Sequence, residues 1–205
     1  METILIPVNH PEAMKFAQEI LNKGGLVAFP TDTVYGLGVP AYNGKAIESI
    51  YRAKKRPLEK SIPILIGEVD DLPKVAINVP EMAKKLAGYF WPGPLTLVVP
   101  KRPELPGQVS SSLTVGVRIP DHSMARQLLL LVGPMAVSSA NLSGQPSPST
   151  AQEVLSQLSG RIDLILDGGI TPGGVPSTVV DCSGAELQVL REGPISRDEI
   201  LSVCR

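Results

Sequence analysis

The residues best suited to chemistry in this 205-residue chain are hydroxyls and cations rather than a nucleophile with its base. The run Pro30-Thr31-Asp32-Thr33-Val34-Tyr35-Gly36-Leu37-Gly38 sets two threonines and an aspartate ahead of two glycines, which let a substrate approach the backbone closely. Arg52, Lys54, Lys55, Arg56 and Lys60 then place five of the 19 Lys+Arg within nine positions. Further on, Ser138-Ser139-Ala140-Asn141 adds hydroxyls and an amide behind a buried apolar run. Fixed cations and hydroxyl donors are what a phosphoryl or nucleotidyl transfer site needs when no protein nucleophile takes part. Cations also gather at helix C-termini because the dipole favours them, but the threonine-rich turn upstream tips the balance toward a site. Arg118 lies in the apolar run 115–119, where a guanidinium needs an anionic partner, either a substrate carboxylate or an internal acid such as Asp181. Arg191, between Leu190 and Gly193-Pro194, poses the same question.

Several chemistries are excluded. Gly36-Leu37-Gly38-Val39-Pro40-Ala41 fits a relaxed dinucleotide pattern, but Pro40 spoils the required tight turn into a helix. Neither a phosphate loop of the G-x-x-x-x-G-K-[ST] type nor G-x-S-x-G nor H-E-x-x-H occurs. Two cysteines (Cys182, Cys204) and two histidines (His10, His122) argue against a disulfide scaffold or a zinc centre and read as reduced thiols in a cytoplasmic protein. A formal net charge of -1 gives no global reason to expect nucleic acid or an anionic membrane as main partner. The longest apolar stretch, 128–137, is broken by Gly133-Pro134 and falls short of the roughly 20 residues a bilayer span needs.

The elements that must carry these residues alternate. Strands are expected over 3–8, 26–29, 62–66, 95–99, 115–119, 135–138, 164–166, 178–180 and 187–190. A helix led by Asn9 or His10 before Pro11 carries Ala13, Phe16, Ala17, Ile20 and Leu21 and stops at Gly24-Gly25. Another runs over 44–55, capped by Asn43 and closed by Arg56-Pro57, and a third is marked by Met82, Leu86 and Phe90. Capping boxes at Thr150 with Glu153 and Ser196 with Glu199 open two late helices. Segments 100–112, 143–149 and 168–176 read as long loops of the kind that form lids or binding loops. The pattern predicts an α/β fold layered on a twisted sheet, in one domain over 1–205.

With these residues in view, the chain resembles the YrdC family of threonylcarbamoyl-AMP synthases. The resemblance rests on PTDTVYGLG at 30–38, AKKRP at 53–57, WPGPLT at 91–96, VGVRIP at 115–120, SANLSG at 139–144, STVVD at 177–181 and LREG at 190–193, in order and across nearly the whole chain. It implies a twisted mixed parallel/antiparallel sheet with helices packed around a deep basic cavity. It implies an enzyme that condenses L-threonine, bicarbonate and ATP, with Mg2+, into threonylcarbamoyl-AMP and pyrophosphate for a tRNA modification. Downstream partners would be tRNA threonylcarbamoyl-transferase proteins, with weak tRNA binding and no membrane. By position, the resemblance gives Thr33, Arg118, Val137 and Ser177 to L-threonine, and Arg56, Lys60, Thr114, Ser139, Ser147 and Arg191 to ATP. Lys54 and Arg56 would be the catalytic pair, with no protein-held metal. The chain departs from many relatives at Lys55, where they have glycine, at Lys60, where they have asparagine, and at Leu65, where they have histidine. An RNA-binding module and a carbamoyl-transfer domain of the same fold are the alternatives.

Overall fold

In the computed structural model, which describes residues 2–204, ten strands form one mixed sheet. In chain order the elements are β1 (Ile4–Pro7), α1 (Ala13–Asn22), β2 (Val27–Phe29), β3 (Gly36–Pro40), α2 (Gly44–Lys54), β4 (Ile64–Leu65), a 3-10 turn (Val69–Lys74), α3 (Glu81–Phe90) and β5 (Leu95–Pro100). They continue with β6 (Thr114–Arg118), α4 (Ser123–Val132), β7 (Met135–Ser139), α5 (Ala151–Leu158), β8 (Leu164–Asp167), β9 (Thr178–Asp181), β10 (Gln188–Arg191) and α6 (Arg197–Cys204). The strand order is β1-β8-β2-β3-β7-β4-β6-β5-β9-β10. β1 and β2 pair parallel to β8, β4 to β6 and β5 to β9, and the remaining neighbours are antiparallel.

Alternation along the strands sorts side chains onto two faces. Val27, Phe29, Met135, Val137, Leu164 and Leu166 pack with Ala13, Ala17 and Leu21 of α1 and Leu128 and Leu129 of α4. Their neighbours Ala28, Ala136 and Ile165 face the other way, into the larger cluster with Ile47 and Ile50 of α2, Leu86 of α3, Val154 of α5 and Ile200 of α6. The helices therefore cover the sheet faces. Their apolar stripes are satisfied by the sheet, which has the mixed parallel/antiparallel pairing the resemblance implied.

One strand escaped the sequence reading. Residues 36–40 are not among the expected strands, and two glycines and a proline are weak strand signals. Yet β3 sits mid-sheet, between β2 and β7. The glycine at 36 is needed there: a Cβ on Gly36 would lie 2.7 Å from Cγ1 of Val137. Helix starts also differ in detail. α1 begins at Ala13 because His10 first closes a turn onto Pro7 O, and its ring Nδ1 accepts the N–H of Glu12. The Ser196–Glu199 box is reciprocal, at 2.8 and 3.3 Å. At α5, Thr150 caps the N–H of Glu153, but the Glu153 carboxylate accepts from Ser149 N instead of Thr150 N.

Candidate active site

The threonine-rich turn between β2 and β3 is held by its own hydroxyls. Thr31 Oγ1 donates to Val34 O (2.7 Å) and accepts the N–H groups of Thr33 and Val34. This local bonding satisfies a buried backbone that no strand pairs with. Two of the long loops are stitched onto the same turn. Tyr35 N donates to Pro148 O, Gly174 N to Thr33 O, and the Tyr35 hydroxyl to Gly169 O. The 168–176 loop passes so near that a Cβ on Gly173 would sit 2.7 Å from Asp32 O.

Arg118 ends β6 and is nearly enclosed. Its Nε donates to Gly93 O (2.9 Å), Nη1 to Thr33 Oγ1 (3.0 Å) and Nη2 to Asp32 Oδ1 (2.5 Å). Burial works against its charge, and Asp32 works in favour of it. The internal acid is therefore Asp32, from the threonine-rich run itself. Asp181, the example of an internal acid weighed from sequence, instead accepts from Ser183 N and Oγ just past β9. Three of the five guanidinium N–H groups of Arg118 are used, leaving one on each Nη.

These elements enclose a cavity of about 200 Å3. Its wall takes Thr31, Thr33 and Val34 from the turn, Gly36 from β3, Pro63 and Leu65 at β4, Thr96 from β5, Arg118 from β6 and Val137, Ser138 and Ser139 from β7. Arg56, just past α2, with Ser147, Pro176, Ser177 and Arg191 completes it. Three guanidinium groups thus face hydroxyls and small apolar side chains, and no carboxylate, thiol or imidazole belongs to the wall. Arg56 is aimed by two carbonyls, its Nε donating to Lys60 O and its Nη2 to Ser61 O. Arg191 follows a register shift in β10 between Val189 and Arg191, and its guanidinium donates to Ser177 O at 3.0 and 2.8 Å. Such a bulge re-aims a side chain on an edge strand. Burial, then the charge of Arg118, lowers the pKa of Arg191, so the wall carries unmet positive potential.

Of the eleven residues expected from sequence, the wall brings together Thr33, Arg56, Arg118, Val137, Ser139, Ser147, Ser177 and Arg191. Lys60 stands outside it with an exposed side chain, and Thr114 opens β6 with its hydroxyl on Ser112 Oγ (3.0 Å). Lys54 does not belong to the wall: its amine is buried and donates to the backbone carbonyls of Ser139 and Asn141. Two participants had been given no role: Asp32, which pairs with Arg118, and Thr96, whose hydroxyl pairs with Ser177 Oγ at 2.8 Å. Asp32 and Thr96 lie inside quoted runs, but their partners are 86 and 81 positions away, a separation that spacing rules do not reach.

Among the described residues no group of three or more His, Cys, Asp or Glu is arranged to hold a metal, and no helix is long and apolar enough to cross a membrane.

Compared with known proteins, residues 19–193 match the Sua5/YciO/YrdC family model, described as "Telomere recombination". The chain is 43% identical over 192 residues to a threonylcarbamoyl-AMP synthase of Pyrococcus abyssi, covering 93% of this chain and 56% of that protein. It is equally 43% identical over 201 residues to one of Bacillus subtilis, covering 97% and 58%. It thus spans little more than half the length of these two relatives. The crystal structure of P. abyssi Sua5 complexed with L-threonine superposes with a TM-score of 0.93 at 41% identity, over 99% of this chain and 61% of that one.

Proposed function

The chain belongs to the Sua5/YciO/YrdC family, and from that premise we propose that it is a threonylcarbamoyl-AMP synthase, joining L-threonine, bicarbonate and ATP. The observation that carries this reading is the cavity wall itself, three arginines and several hydroxyls with no carboxylate, thiol or imidazole among its lining residues.

The chemistry asks for such a wall. The threonine amine and bicarbonate form an N-carboxylate and release water. A carboxylate oxygen of that adduct attacks the α-phosphorus of ATP, the bond from that phosphorus to the bridging oxygen breaks, and pyrophosphate leaves. Nucleophile and leaving group both belong to substrates, so the protein must align anions, offset their repulsion and exclude water from a labile product. Arg118 offers its two remaining N–H groups to the threonine carboxylate, with Thr33 and Ser177 beside it. Val137, Pro63 and Leu65 give the amino-acid side chain an apolar surface, and Leu65 cannot donate a hydrogen bond to it. Arg56, Arg191, Ser139 and Ser147 serve the nucleotide, and Lys60 and Thr114 are proposed as contacts beyond the wall. Magnesium would accompany ATP as its counter-ion and offset phosphate charge alongside Arg56 and Arg191. Transferase proteins that move the threonylcarbamoyl group to tRNA, in the cytoplasm, would consume the product.

Purified protein given magnesium, ATP, L-threonine and bicarbonate should release pyrophosphate and form threonylcarbamoyl-AMP by mass spectrometry. With all four present, failure to form the adenylate would overturn the reading.

A further inference from the structure

Lys54 is only 1% exposed, yet it is the cationic side chain that reaches the strand end bearing Ser139. Its Nζ donates to Ser139 O, to Asn141 O (2.6 Å) and, at 3.5 Å, to Asn141 Oδ1. An ammonium has three N–H donors, and these are its three acceptors. The contact is returned by the backbone, as Ser143 N donates to Lys54 O (2.8 Å). With its oxygen toward Lys54, the Asn141 amide turns its Nδ2 to Leu142 O and Gln145 O, at 2.8 and 2.7 Å. The whole turn from Ser139 to Gln145 is thereby tied to the last turn of α2.

Resting on the reading of the cavity as a nucleotide site, we propose that Lys54 is a positioning residue. As an ammonium ion it gathers the carbonyls of Ser139 and Asn141 and holds Ser139 at the cavity wall, without touching substrate itself. The charge matters because a neutral amine has two N–H groups and a lone pair. It would drop one carbonyl and turn the lone pair against another oxygen. No carboxylate forms an ion pair with Lys54 among the described residues. β7 and the turn after it present only carbonyls and the Asn141 amide, while Arg56, just past α2, is the charged group that acts on it. Burial, then the Arg56 charge, brings the Lys54 amine down to about 7, so the latch changes state near neutral pH. A polyanion in the cavity favours the ammonium, so the alkaline loss should lie at higher pH in the nucleotide complex than in the free protein.

The test follows backbone amide resonances of residues 139–145 in the wild type through pH 6–9, alongside pyrophosphate release. Those amides should move together with a midpoint near pH 7. kcat/KM for ATP should fall along the same curve, with the fall in kcat displaced to higher pH. Lys54→Met should abolish the common midpoint and lower turnover roughly 10²-fold while KM for threonine changes less than about threefold. Lys54→Arg, which stays charged throughout, should recover part of the turnover without the pH response. Amides that stay still through the titration, or a folded Lys54→Met protein with wild-type turnover, would overturn the proposal. If the wild type releases no pyrophosphate, the synthase reading fails and the amide titration still decides the role of Lys54; if Lys54→Met does not fold, the wild-type titration decides it alone.

Discussion

Arg118 and Asp32 form an ion pair of 2.5 Å with side chains only 6% and 11% exposed, joining β6 to the threonine-rich turn across the candidate site. Truncating one partner of such a pair strands the other charge. Arg118→Ala is expected to destabilise the fold by about 3–5 kcal/mol, and adding Asp32→Asn should recover most of that loss. Threonine-dependent turnover should stay lost in both proteins if Arg118 also grips the substrate carboxylate. Urea unfolding and threonine titrations of the two variants measure each side of the cycle. Unchanged threonine affinity in a folded Arg118→Ala protein would remove the carboxylate role.

Arg56 donates to two carbonyls of its own neighbourhood and lines the cavity. Arg56→Ala should therefore cost about 1 kcal/mol of stability but lower turnover roughly 10²-fold, as loss of a group that steadies phosphate charge does. A large stability loss with retained turnover would mark it as a helix-end cation instead. Melting curves and rates on the same preparation decide.

Lys55, the residue between the two signature cations, closes α2 in a left-handed conformation, φ 50° and ψ 43°. A side chain there is strained, whereas glycine is not. Lys55→Gly should stabilise the fold by up to about 1 kcal/mol with turnover unchanged, read from the shift in the urea midpoint. A destabilised protein would show that the lysine side chain contributes more than its backbone strain costs.

Lys54 ties stability to pH in a definite direction. Its folded-state value of about 7 lies below the ordinary 10.5, so between them the unfolded chain binds the extra proton. Its contribution to stability is thus fully present above about 10.5 and is lost as pH falls through about 7, with a slope of at most about 1.4 kcal/mol per unit. Urea unfolding at several pH values should show the rise in the wild type and its absence in Lys54→Met. Parallel curves for the two proteins would contradict it.

The strand and helix rhythm was legible because both sheet faces are covered, so apolar runs mark the strands and 3.6-residue stripes the helices. β3 was not, since what makes it a strand is the tight approach of Val137 to Gly36, a contact between residues about a hundred positions apart. The same limit applied at the site. The arginines and hydroxyls stood out by type, but whether a cation faces the cavity or the backbone is set by tertiary packing. Lys54 and Arg56, two residues apart, point to opposite sides of the wall.

Arg191 reaches the wall from β10, the outermost strand, and rests on Ser177 from the loop before β9. On the ribosome, where chains emerge at about 5–20 residues per second, a nascent protein already holding Thr33 to Ser177 still lacks its third guanidinium. The wall is therefore completed only once β10 has emerged and paired with β9. Under the proposed reading, a chain stalled before β10 would lack the full set of cations that a nucleotide's phosphates need.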